Sequence, residues 1–205
     1  MKLLKKVQPI EVKRCFIVSD FISQQKYAKR QMARLTPAQY KARVAKAKSI
    51  ILALPEVMLD MILKGEWKRR FVAYNASDWY IAEMTTDELG VWKSAGGLPL
   101  PWTRDSLATT GNFVREALEK NPKKLKHRSF TAIPGIIKTA LPVVLKEKYL
   151  LPIAFKSGTG TKGRKGLKLM KGDLDDGCMR SVALAASGKT KIKVYFGIPK
   201  KKGSK

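Results

Sequence analysis

From Thr131 to Gly197 the hydrophobic period changes several times, in an order that few folds accommodate. Ile133, Ile136, Ile137, Ala140, Leu141, Val144 and Leu145 recur at helical spacing, so a helix is predicted from Thr131 to Lys148, with a kink near Pro142. YLLPIAFK, residues 149–156, reads as a strand, and SGTGTKGRKG, residues 157–166, as a basic turn leading into a second strand, LKLM, residues 167–170. A helix is then predicted from Gly177 to Ser187, ended by Gly188, and KIKVYFG, residues 191–197, reads as a last strand. Helix, strand, turn, strand, helix, strand describes an α/β (α+β) domain, placed at residues 101–198.

The join between the second strand and its helix is GDLDDGCMRS, residues 172–181. Asp173, Asp175 and Asp176 are the only acidic side chains in the 58 residues from Lys148 to Lys205, against fifteen Lys and Arg. Asp175 or Asp176 is suited to cap the helix. Arg180 in its first turn opposes the helix dipole, by roughly 0.3 to 1 kcal/mol, and so invites an anion. Two readings stay open. In one, Gly177, Cys178, Arg180 and Ser181 form a phosphate or nucleotide site, with the three carboxylates holding a magnesium ion beside it. In the other, Asp176 and Arg180 are an i,i+4 ion pair. Cys178, at a helix start beside arginine, is either a stabilised thiolate or a packed small side chain.

The N-terminal part is less regular. Cys15 to Val18 is a strand candidate. Thr36 and Pro37 read as N-cap and first residue of a helix to Leu54 that places Tyr40, Val44, Ala47 and Ile51 on one face. Pro55 stops it, and a shorter helix follows with Gly65 after its end. Arg70–Tyr74 and Trp79–Ala82 suggest a hairpin, and the nearby large aromatics read as core rather than as base-stacking platforms. The Gly- and Pro-rich stretch Ser94–Thr103 is the expected boundary of a mainly helical basic lobe, residues 1–100. Beyond it Asp105 or Ser106 is expected to cap a helix to Glu119, while residues 199–205 read as a basic disordered tail.

Charge limits the partners. The chain carries 42 Lys and Arg against 16 Asp and Glu, a formal charge of +26. Self-repulsion of that size points to a polyanion, with nucleic acid the first candidate. From Phe21 to Pro55 there is no acidic residue and there are eight basic ones, so Lys41, Arg43, Lys46 and Lys48 are candidate backbone contacts. Lys162, Arg164 and Lys165 in the Gly-rich turn are further candidates, since the turn fails the P-loop pattern and precedes a strand. Two separated cysteines and one histidine form neither a disulfide framework nor a metal cluster, and no apolar run spans a membrane. A reducing, cytoplasmic setting is expected, with no membrane partner; a homodimer is left open.

Residues 131–198 resemble the superfamily of the ParB N-terminal domain and sulfiredoxin. KEKYLLPIAFK, residues 146–156, keeps Leu150, Pro152 and Ile153 of its "LxQPIVV" segment. Asp176, Gly177 and Arg180 match "DGxxR", and Ala183, Leu184, Gly188, Ile192 and Val194 follow at the family's offsets. Cys178 makes the box similar to "GCHR" of sulfiredoxin, with Met179 in place of the histidine and Leu151 in place of the glutamine. The resemblance implies a ParB-like domain, with a nucleoside triphosphate or Mg²⁺ as cofactor. It implies three possible roles: a DNA-binding nuclease in which Asp175, Asp176 and Arg180 do the chemistry, a noncatalytic phage or mobile-element binding module, or a nucleotide-using enzyme of sulfiredoxin or kinase type.

Overall fold

The computed structural model describes residues 1–24, 35–162, 164 and 166–200. Its framework is a six-stranded mixed sheet. The strands are β1 (Lys2–Val7), β2 (Ser77–Thr85), β3 (Leu89–Gly90), β4 (Ile153–Lys156), β5 (Gly172–Asp176) and β6 (Lys191–Pro199), in the order β1-β2-β6-β4-β5-β3. β6 lies between β2, antiparallel to it, and β4, parallel to it. Residues 1–100 therefore supply three strands to the sheet that the last third completes. The sheet runs across the boundary expected at Ser94–Thr103, where Ala95, Leu98 and Thr103 are buried.

The first helix, α1 (Pro9–Gln24), absorbs the stretch Cys15–Val18 that reads as a strand. Four apolar residues in a row do not show a period. The wider spacing of Val12, Cys15, Phe16, Ser19 and Ile22, all buried, is helical. β1 was not legible because KLLKKV does not alternate, and a bulge between Leu3 and Lys5 shifts its register against β2.

α2 (Pro37–Leu52) begins as its sequence predicts. The Thr36 side chain accepts from the Gln39 N–H at 3.2 Å and Gln39 Oε1 accepts from the Thr36 N–H at 2.8 Å, a reciprocal cap, and Tyr40, Val44, Ala47 and Ile51 are buried. Thr36→Ala is expected to lower stability by about 0.5–2 kcal/mol, read from the midpoint of a urea titration. α3 (Glu56–Glu66) includes Gly65 in its last turn, so that glycine does not terminate it. Arg70–Tyr74 belongs to α4 (Lys68–Asn75) and not to a hairpin, whereas Trp79–Ala82 does lie in β2. Tyr74, Trp79 and Phe155 pack together, with the Trp79 ring 5.4 and 5.0 Å from the other two. These aromatics are core.

α5 (Leu107–Lys120) is capped by Ser106, whose hydroxyl accepts from the Thr109 N–H at 3.2 Å. α6 (His127–Gly135) starts four residues before the expected Thr131. It passes through a π-turn, Ile136–Ala140, into α7 (Leu141–Val144), and Pro142, which has no N–H to donate, sits just after the wider turn. The expected strand at residues 167–170 is turn and coil, and the strand beside β4 is the acidic segment itself. Asp is depleted in strands, so β-propensity argued against that placement. α8 (Cys178–Ala186) closes with the predicted Gly188, at φ +85°, and the Lys189 N–H donates back to the Leu184 carbonyl at 3.1 Å.

Candidate phosphate site at the start of α8

β4 and β5 pair Ile153 with Asp176 but Ala154 with Leu174, so Asp175 is an extra residue in β5. A bulge at this point breaks the alternation of the strand. Gly177 then turns the chain at φ +77°, where a Cβ would lie 3.1 Å from the Pro152 Cα and 2.9 Å from Arg180 Nη2. Only glycine adopts that backbone at so close an approach. Among the described residues, no side chain caps the N-terminal N–H groups of the α8 that this turn delivers.

The three carboxylates of the segment are turned to three different arginines. Asp173 accepts from the Gly158 N–H at 2.9 Å and the Ser157 hydroxyl at 3.2 Å, with Arg164 Nε 3.6 Å away. Asp175 takes Arg70 Nε at 2.8 Å and the Thr161 hydroxyl, and its side chain is fully buried. Asp176 takes Arg180 Nη2 at 3.0 Å and the Ser19 hydroxyl at 3.2 Å, and Ser19 accepts in turn from Arg180 Nη1. None caps α8. The magnesium expectation rested on the three sharing one site, and this donor set does not fit it: among the described residues no group of three His, Cys, Asp or Glu is placed to hold a metal. Burial pushes the Asp176 carboxyl up, but the charges of Arg180 and Arg70 outweigh it and hold the group below its ordinary value.

A cleft of about 130 Å³ opens at this helix start. Gly177, Cys178, Met179 and Arg180 form its floor, and Arg128 from α6 and Lys162 from the Gly-rich loop bring further positive charge. Arg180 is 9% exposed, and among the described residues its Nε has no hydrogen-bond partner. The Lys162 ammonium lies 3.9 Å from the centre of the Trp92 ring, and burial followed by the charge of Arg70 lowers its pKa. Cys178 is a packed thiol. It is buried, accepts from the Trp92 indole N–H, and desolvation pushes it up to about 12 despite Lys162, so it is not a thiolate at neutral pH. Ser181 does not line the cleft; it is fully buried in α8.

The expected nucleic-acid contacts divide. Lys41 and Lys46 are exposed on α2, Arg43 is half-buried, and Lys48 pairs with Glu147 at 2.9 Å. Arg164 is no surface contact. It is 2% exposed and donates to the carbonyls of Val91, Thr103, Arg104, Asp105 and Lys168. Gly90 makes room for it, since a Cβ there would lie 2.5 Å from Arg164 Nε. Arg164 thus pins the Gly-rich loop to the core and fixes Lys162 two residues before it. Lys165, together with Lys26, Lys29, Arg30 and Arg34, lies outside the described residues.

Sequence reasoning missed Arg70, Arg128 and Trp92. Arg70 reads as one of three consecutive basic residues in KRR, and nothing local marks it as the one that turns inward. No helix among the described residues is long and apolar enough to cross a membrane. No protein-family model, curated protein or solved structure matches the chain.

Proposed function

We propose that the protein binds nucleic acid and that the cleft at the start of α8 holds one of its phosphates. The observation that carries this reading is the meeting of Arg128, Lys162 and Arg180 at an uncapped helix N-terminus, where the nearby carboxylates are already neutralised by arginine. The formal charge of +26 supports a polyanionic partner. The order of α6, β4, β5, α8 and β6 supports the ParB-like resemblance, which belongs to the same proposal. Because each aspartate is engaged by an arginine, a noncatalytic binder is favoured over a magnesium-dependent nuclease. A cleft of about 130 Å³ is smaller than a whole nucleoside triphosphate, which would lie partly outside it.

Binding to 5′-phosphorylated duplex DNA, measured by fluorescence anisotropy across a salt series, is expected to weaken steeply with salt, by about 0.9 log units per log unit of salt for each phosphate neutralised. Replacing Lys41 and Lys46 by Gln should flatten that slope by about two units, since each exposed ammonium would release one counterion equivalent. Lys162→Gln should weaken binding by about 1.5–3 kcal/mol, the range for a charge-assisted hydrogen bond, without lowering the melting temperature. An unchanged slope together with unchanged affinity in Lys162→Gln sinks the proposal. Arg180→Ala is a poor probe, because removing this buried guanidinium strips Asp176 and Ser19 of their partner.

A further inference from the structure

The charge and size of the cleft select among phosphates. Among the described residues, four cationic side chains, Arg70, Arg128, Lys162 and Arg180, surround it or back onto it, against two carboxylates, Asp175 and Asp176. Two positive charges are left unbalanced, and the N-terminal end of α8 adds a partial third. An internal phosphodiester brings one negative charge to such a site. A phosphate monoester brings about 1.5 to 2 at neutral pH, with more oxygens free to accept. Space favours the same group. A phosphate inside a strand carries a nucleoside on each side, whereas clefts that enclose ligands of even drug size occupy about 300–1,000 Å³. About 130 Å³ admits a phosphate with one substituent. Arg180 adds its charge from beneath the cleft, where Asp176 and Ser19 hold the guanidinium in place.

We propose that the cleft recognises a terminal phosphate monoester, the phosphorylated end of a nucleic-acid strand, in preference to phosphates within the strand. This deepens the nucleic-acid reading and rests on it. Arg128 and Lys162 grip the oxygens at the mouth, the first N–H groups of α8 face them from the floor, and Arg180 sets the positive field beneath. The rest of the strand is held by the basic surface.

The test compares one short single-stranded DNA oligonucleotide, carrying either a phosphate or a hydroxyl at its 5′ end, with free thymidine monophosphate as a third ligand. The phosphorylated strand should bind about tenfold or more tightly than the hydroxyl form, the effect of one or more charge-assisted hydrogen bonds. Lys162→Gln and Arg128→Gln should each erase most of that preference, weakening the phosphorylated strand far more than the hydroxyl strand. Arg128 is exposed, so its replacement leaves the core intact. Equal affinity for both strands, with both weakened by Lys162→Gln, would mean that the cleft takes an internal phosphate, which overturns this inference and leaves the broader reading standing. Equal affinity with neither strand weakened overturns both. Thymidine monophosphate binding as tightly as the phosphorylated strand would assign the cleft to a free nucleotide and overturn the strand end.

Discussion

Asp175→Asn is expected to destabilise the protein by about 3–5 kcal/mol, the cost of leaving one member of a buried ion pair without its counter-charge. The Asp175 side chain is fully buried and that of Arg70 is 10% exposed, so water does not replace the lost carboxylate. Asparagine keeps an acceptor for Arg70 Nε, but it offers no negative charge to a guanidinium that also lies 4.4 Å from the Phe16 ring centre. Chemical denaturation followed by circular dichroism reads the loss directly. A companion variant sharpens the result. Arg70→Met combined with Asp175→Leu removes both charges, and it should recover much of the stability that the single replacement loses. A single replacement costing under about 1 kcal/mol would place the pair with solvated surface bridges instead.

Arg164→Met carries the second large effect. Arg164 ties together the carbonyls of Val91, Thr103, Arg104, Asp105 and Lys168, and its Nε lies beside Asp173. A methionine would fill the volume and leave those acceptors without a donor, at about 1–3 kcal/mol for each one that water cannot reach. The expected loss is about 3–5 kcal/mol, and Arg164→Lys should not restore it, because one ammonium cannot span acceptors that a planar fork reaches. The variant should also bind DNA more weakly even where it is folded, since the loop that presents Lys162 loses its anchor. A variant with normal affinity and reduced stability would show that Lys162 holds its place through Trp92 alone.

Where a local rule decided the structure, the sequence could be read. The reciprocal cap at Thr36, the Ser106 cap, the buried face of α2, and the glycine after α8 all follow from contacts within one turn of the chain. The candidate site was half legible. Gly177 and Arg180 were found because a glycine and a cation at a helix start are locally odd, and Asp176 does pair with Arg180 as the i,i+4 alternative allowed. What could not be read was set by distant partners. Asp175 meets Arg70 across 105 positions and Arg180 meets Ser19 across 161, so three acidic residues that look like a ligand cluster are separate counter-ions. The same cause hid β5. A strand bearing three aspartates is disfavoured until arginines from elsewhere make their burial tolerable.

The place of β6 sets the order in which this molecule can assemble. The sixth strand in the chain is the third in the sheet, and it supplies the edges that both β2 and β4 need. Until residues 191–199 have left the ribosome, β2 and β4 have no partner on that side, and the aromatic cluster of Tyr74, Trp79 and Phe155 lacks Gly197, which packs against both Trp79 and Phe155. These pairings close over long stretches of chain, the condition under which strands fold slowly and open edges invite the wrong neighbour. The large excess of positive charge acts during that interval too, by keeping unfinished copies apart.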